Sequence, residues 1–411
     1  MRLKLAIVNG NGPALITPKH FSLCSNPSFD IYNLRMAPLG HMVPVNPDDC
    51  VFDHDCQGSL CECINMLEAI DPDLIYVQDN GLYNVQIAPH IKIAFPDKPF
   101  IYEPYDTVSS IYSDPTLMQA DGRSLEDVKF NVELERYLFS VADGIVHNDD
   151  GPQVQSLIQQ TRVPDLQVQA YVDASDIHFT PAQSLHKPAR LVWAGGVAPS
   201  NAPDQTRGEN KLLPFFKQLV ERGYYLDVYV ALARDEEQLQ QDYPDYIEYA
   251  ASTAGFNIHP FMAREALIGK LSQEADFGLH VFPKPVADNG RLAMYQSSMA
   301  SKVLTYLAAG LPLITAAHLE PIARYVSQNK VGIVAADMGK GELVSDIHHK
   351  IKVTDYAELK QHVNACQHRI SIQYFIHQLE TFLNNILASA STRRSNLYLH
   401  NTQGIQVGEY E

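Results

Sequence analysis

Short apolar runs alternate with stretches of helical spacing along most of the chain, the pattern that parallel α/β sheets leave in a sequence. In the first half, Leu3 to Val8, Leu74 to Val77, Phe100 to Tyr102 and Gly144 to His147 read as strands. Ser59 to Ala69, Val85 to Ile93 and Val128 to Ala142 read as helices between them. Periodicity lapses over 172–189, where Pro181 and Pro188 interrupt it, and a second alternation follows. Its strands fit Arg190 to Ala194, Leu226 to Val230, Asn257 to Pro260, Phe277 to Val281 and Pro312 to Thr315; its helices fit Leu212 to Arg222, Ala263 to Gln273 and Lys302 to Ala309. Beyond Asp355 the spacing is helical, with Leu359, Val363, Ile370, Phe375, Leu379 and Leu383 offering apolar faces, and the stretch from Ser389 to Glu411 is polar without a clear repeat. The expected architecture is an α/β chain of two Rossmann-like domains, 1–175 and 190–354, joined by a linker at 176–189. Helices over 355–388 and a tail over 389–411 follow.

A length of 411 residues exceeds what one core supports, which agrees with two domains. No apolar run reaches the length of a membrane span, and the chain enters a strand-like run at once, so it reads as cytoplasmic. The net charge of −17 is uneven: residues 1–180 hold 10 Lys and Arg against 25 Asp and Glu. Such an acidic half repels polynucleotides and anionic lipid, which excludes nucleic acid as a partner. Six cysteines are too few for a disulfide scaffold of this length. Cys50, Cys56, Cys61 and Cys63, with Asp53, His54 and Asp55 among them, include zinc-ligand types, yet their spacing matches no paired knuckle. Buried or idle thiols are expected there.

Candidate chemistry is densest in Ser297 to Thr315. Ser297, Ser298 and Ser301 can cap a helix, Val303, Leu304, Tyr306 and Leu307 follow helical spacing, Gly310 suits a left-handed stop, and Pro312 forbids continuation. Lys302 falls in the first turn, where a cation opposes the helix dipole unless an anion lies between them, so a bound phosphate is indicated; the plain alternative is a lysine snorkelling to water. Gly195 and Gly196 after a strand allow close approach of backbone to a ligand or merely a tight turn. Arg207 and Lys211 are either further anion contacts or a solvated helix approach.

In the acidic half, Asn9 to Pro13 and Glu103 to Asp106 follow strands, at the carboxyl ends where open α/β sheets bind ligands. If a bound hydroxyl needs a general base there, Asp106 is the first choice and Glu103 the second. The alternative is that Asp106 caps the turn of Thr107, Val108 and Ser109. Asp79 and Asn80 form a third group, whereas His147 to Asp150 reads as a turn.

Three segments in order carry a family resemblance. They are Leu191 to Gly196 followed by Arg207 and Lys211; Ile258 to Phe261 followed by Leu267, Leu271 and Ala275 to Leu279; and Ser301 to Pro312. Together they resemble the GT-B nucleotide-sugar glycosyltransferases, and most nearly the large retaining group called family 4. The resemblance implies two Rossmann-like domains facing across a cleft, with a C-terminal helical segment crossing back. It implies a UDP-linked donor sugar as co-substrate with no metal and no other cofactor, and retention of anomeric configuration. Donor contacts would come from Gly195, Gly196, Arg207, Lys211, His259, Ser298, Ser301, Lys302 and Thr305; acceptor contacts would come from Asn11, Gly12, Asp79 and Asn80. The base would lie along His259 to Met262, and the sugar near Asn289, Gly290 and Arg291.

The chain departs from the pattern where the family carries a pair of glutamates: Ser297 and Thr305 stand there. A threonine hydroxyl can bond a ribose but supplies no charge-assisted bond. Two readings therefore stand beside transfer to a glycan, small-molecule or protein acceptor. One is an epimerase or phosphorylase-like enzyme, for which the chain offers no distinctive set. The other is a partner subunit that kept the fold without the chemistry, favoured by the missing glutamates and opposed by the three cations.

Overall fold

The computed structural model describes residues 2–9, 28–36, 52–79, 87–104, 107–111, 124–148, 151–167, 172–179, 184–199, 201, 211–283, 299–336 and 340–403. Two parallel sheets organise them. The first runs β3-β2-β1-β4-β5-β6-β7, from β1 (Leu3–Asn9), β2 (Phe29–Arg35), β3 (Phe52–Asp55), β4 (Leu74–Asp79), β5 (Phe100–Pro104), β6 (Gly144–His147) and β7 (Asp165–Gln167). The second runs β10-β9-β8-β11-β12-β13, from β8 (Arg190–Gly195), β9 (Tyr225–Val230), β10 (Phe256–His259), β11 (Phe277–His280), β12 (Leu313–Ala316) and β13 (Gly332–Ala335). Both begin at a central strand, step outward on one side and return to build the other. The direction in which strands are added therefore reverses between β1 and β4 and between β8 and β11, the switch points where such sheets bind ligands.

The central strands are apolar throughout because both of their faces are covered. In β1, Ala6 and Val8 pack with Leu67, Ala88, Phe100 and Leu138 on one face of the sheet. Leu5 and Ile7 pack on the other face with Phe375, Leu379, Leu383 and Ile386 of the long helix Ile372–Gln403. That helix is the return crossing the resemblance implied: it follows the second sheet in sequence and closes the first. Gln373 and Glu380 also bond back, to the Ala174 N–H at 3.1 Å and to the Ser28 hydroxyl at 2.7 Å.

The forward crossing is equally tied. Val172 forms a parallel bridge with Ser371, and the His178 N–H donates to Ala308 at 2.8 Å. The buried Gln367 amide donates to the carbonyls of His178 and Leu307 at 3.0 and 2.8 Å. Both crossings thus meet at the C-terminal end of the helix Ser301–Ala308.

Four strands escape the hydrophobic reading, each for a local reason. In β2, Asp30, Asn33 and Arg35 interrupt the apolar run, and Asn33 and Arg35 bond Asp53 of β3 at 2.8 and 3.2 Å. β3 itself reads FDHD, β7 has three residues at an edge, and β13 is a short GIVA run. Beyond Ser389 the polar stretch continues the helix as far as Gln403, with no glycine or proline to stop it there. In the cysteine segment, Cys56 and Cys63 are buried with their thiols hydrogen-bonded, and Cys61 is exposed. Cys50 lies outside the described residues. Among the described residues, no helix is long and apolar enough to cross a membrane.

Candidate functional site at the two switch points

The helix Ser301–Ala308 carries Lys302 to the β8/β11 switch point. Its N-cap is Ala300, which offers no side-chain acceptor, so the capping expected of Ser301 does not occur. Ser301 is instead the exposed first residue of the helix. From the same turn Lys302 extends over β8: its Nζ lies 3.7 Å from the Trp193 ring centre and 5.2 Å from that of Phe282. A side chain at Gly195 would put its Cβ 2.9 Å from that Nζ, and Gly195 sits at φ +153°. Glycine is what leaves room for the lysine. A Cβ on Gly196 would meet nothing within 4 Å, so this position borders open space.

Among the described residues no carboxylate or carbonyl bonds the Lys302 amine. Burial among aromatic rings favours its neutral form and brings its pKa down to about 7. His280, at the end of β11, is fully buried, stacks parallel to Trp193 at 6.5 Å and meets Phe282 edge-on at 5.2 Å. Burial, then the nearby Lys302 and His318, keep its imidazole neutral well below the usual range, and neither ring nitrogen has a hydrogen-bond partner.

The rest of the helix explains its own sequence. The Tyr306 hydroxyl accepts the Ala194 N–H at 2.6 Å, fastening the helix to β8. The Tyr306 ring lies over Gly278, where a Cβ would fall 2.3 Å from it. Gly310 takes φ +71°, the left-handed stop expected of it. Thr305 is nearly buried, one turn after Lys302 and on the same side of the helix. Lys211 is half-buried just before the helix Leu213–Glu221. His259 ends β10, further from the switch point; its Nε2 lies 2.9 Å from Asp227 and its ring stacks on Tyr229 at 4.5 Å.

At the first sheet's switch point, pairing register lines up Asp55, Arg35, Asn9, Gln78 and Glu103 across β3, β2, β1, β4 and β5. Glu103 is buried and accepts the Tyr76 hydroxyl. Gln78 is fully buried, with neither amide atom partnered. Behind the loop that follows β5, the buried Glu135 accepts the Val108 N–H at 2.5 Å and the Ser109 N–H at 3.4 Å. Glu135 thus accepts N–H groups of the turn that the sequence offered to Asp106, which itself lies outside the described residues. Asp79 ends β4. Asn11, Gly12, Asn80, Asp106, Arg207, Asn289, Gly290, Arg291, Ser297 and Ser298 lie outside the described residues.

Residue-by-residue reading missed Gln78, Glu135 and His280. For Gln78 and His280 a signal existed, a polar residue at or next to the end of an otherwise apolar strand. Glu135, inside an amphipathic helix, gave none.

The family described as "Glucosyltransferase 3-like, C-terminal domain" matches residues 235–381, the part that includes Lys302. No curated protein matches the chain. Among solved structures, sucrose-phosphate synthase from Thermosynechococcus elongatus superposes with a TM-score of 0.64 at 10% identity, covering 94% of this chain and 100% of that one. HepE of Anabaena, in complex with UDP and glucose, gives 0.61 at 14% identity, covering 93% and 100%. A glycosyltransferase from Rickettsia africae gives 0.62 at 11%, covering 94% and 99%. The fold is that of the GT-B glycosyltransferases. At such identities the likeness carries the architecture alone, and it extends over both sheets and the returning helix rather than over one domain.

Proposed function

We propose that this chain is a glycosyltransferase that moves a sugar from a nucleotide diphosphate sugar, UDP-linked, to an acceptor hydroxyl. The observation that carries the reading is the Lys302 amine at the β8/β11 switch point, which no described carboxylate or carbonyl bonds, beside Gly195 and a helix start that no described side chain caps. Breaking the sugar–phosphate bond leaves negative charge on the departing diphosphate, and fixed donors aimed there stabilise the transition state. Lys302 would meet that charge directly, with Arg207 and Lys211 as further cations, Gly196 leaving the backbone approachable, and no metal required. Thr305 would bond the ribose. The match to a glucosyltransferase domain over 235–381 and the UDP in the HepE structure support a UDP-glucose-like donor.

The acceptor would lie at the carboxyl edge of the first sheet, with Asn11, Gly12, Asp79 and Asn80 as contacts. Asp106 would serve as base and Glu103 as its alternate. Retention of anomeric configuration belongs to the same proposal, as does a cytoplasmic setting. The test is the melting temperature of the purified chain against UDP-, GDP-, ADP- and CMP-sugars, with Lys302→Ala alongside. A saturable rise with one nucleotide, lost in the variant, is expected. A chain that no sugar nucleotide stabilises, even with acceptor glycans present, would overturn the reading.

A further inference from the structure

The surroundings of Lys302 carry a consequence that transfer chemistry alone does not require. Its Nζ rests on the face of Trp193 and beside Phe282, with Gly195 backing it. A ring face offers an ammonium about 0.5–2 kcal/mol, less than the hydration lost on burial. An anion would normally make up the difference. The described groups around Lys302 include none: Trp193 and Gly195 from β8, and His280 and Phe282 from β11 and its continuation, with His318 from the turn after β12 acting on His280 behind them. The titratable members of this set are both imidazoles, which can add positive charge but never negative. Among the described residues, the aromatic box thus holds an amine without a counterion of its own.

A nucleotide diphosphate sugar brings such a counterion. Both of its phosphates are diesters, ionised throughout the neutral range, so the ligand neither takes up nor releases a proton there. We propose that donor binding is proton-linked at Lys302: the side chain waits in the aromatic box as a neutral amine and takes a proton from solvent when the diphosphate arrives. This rests on the donor-site reading above and specifies how that site works. Its balance is simple: one proton moves from solvent to Nζ, and no bond of the donor breaks. The pKa of about 7 brought about by burial sets the range in which the effect appears. The linkage has one sign. Because the diphosphate raises the lysine pKa, affinity is constant well below the free pKa and falls as pH rises above it, by up to tenfold per pH unit.

The test uses the full chain in two measurements. First, Lys302 is labelled with trace acetic anhydride between pH 6 and pH 10 and followed by peptide mass spectrometry, with the exposed Lys187 as internal reference. Labelling of Lys302 should rise with a midpoint near 7, well below the ordinary lysine range of about 10, and saturating UDP-glucose should suppress it. Second, UDP-glucose is titrated calorimetrically at pH 8 in buffers of unequal ionisation enthalpy. Uptake of close to one proton is expected, shrinking toward none at pH 6. Lys302→Arg, which cannot deprotonate, should bind with no uptake at either pH. A Lys302 midpoint in the ordinary lysine range of about 10, or binding at pH 8 without proton uptake, would overturn the proposal while leaving the donor site standing. A midpoint near 7 with no binding of UDP-, GDP- or ADP-glucose would overturn the donor reading and the linkage together.

Discussion

The two switch points share one strand order and differ in everything else. At β8/β11 the strand ends present Gly195, Trp193 and His280 to a lysine that has no counterion among the described residues. At β1/β4 they present Asn9, Gln78 and Glu103, in line with an Arg35 already paired to Asp53 and Asp55 at 3.2 and 3.8 Å. One edge has unspent positive charge in an aromatic setting, and the other has amides and carboxylates in an acidic half. Topology determines where a ligand can lie, while the residues ending the strands determine its charge. Under the reading proposed above, an anionic donor would lie at the second sheet and a hydroxyl-bearing acceptor without much negative charge at the first.

The largest way to break this contrast is at Lys302. Lys302→Ala should lower turnover by about a hundredfold to a thousandfold, the size seen when one fixed group facing transition-state charge is removed. Steady-state kinetics should show the loss in kcat as well as in KM, and an unchanged kcat would place the charge elsewhere. On the first sheet, Glu135→Ala should cost about 3 kcal/mol of stability, because it strands the buried Val108 and Ser109 N–H groups. Chemical denaturation measures it, and a cost within error of zero would remove Glu135 as the support of the loop after β5.

A pH dependence sharpens the contrast further. The folded-state pKa of Lys302 lies at about 7, below the ordinary 10.5, so between these values the unfolded chain holds more protons and stability rises with pH. The ligand-free melting temperature of the wild type should therefore gain on that of Lys302→Met from pH 7 to pH 9. At pH 6 the methionine variant should be the more stable, having no buried ammonium. Lys360, brought down to about 8, shares the direction and is common to both proteins, so the difference isolates Lys302. The smallest effect is Tyr306→Phe, which loses the bond from the Ala194 N–H and should cost about 1–2 kcal/mol, with the ring still packed over Gly278.

The sequence displayed the second half better than the first. The run from Ser301 to Pro312 encodes a helix start, a packing tyrosine, a left-handed stop and a strand in consecutive residues, and all four are read by local rules. Lys302 was legible because it contradicts the helix dipole. What local rules could not give was its seat on Trp193, more than a hundred positions away, or the neutral His280 beside it. In the first half, β2 and β3 were hidden because their polar residues face one another, Asn33 and Arg35 against Asp53. The row from Asp55 to Glu103 exists only through strand register, which no single segment contains. Capping also escaped local rules: Glu135 serves a turn distant in sequence, and Ala300, at the cap where a serine was possible, offers no side-chain acceptor.

The division of labour between the two edges is tested most directly by calorimetric titration of UDP-glucose into the wild type, Lys302→Ala and Glu103→Gln, with transfer to an acceptor assayed in parallel. The account predicts that Lys302→Ala weakens donor binding by at least about tenfold, the loss of one charge-assisted bond, while Glu103→Gln binds donor as the wild type does. Donor binding that survives Lys302→Ala and is lost in Glu103→Gln would contradict it.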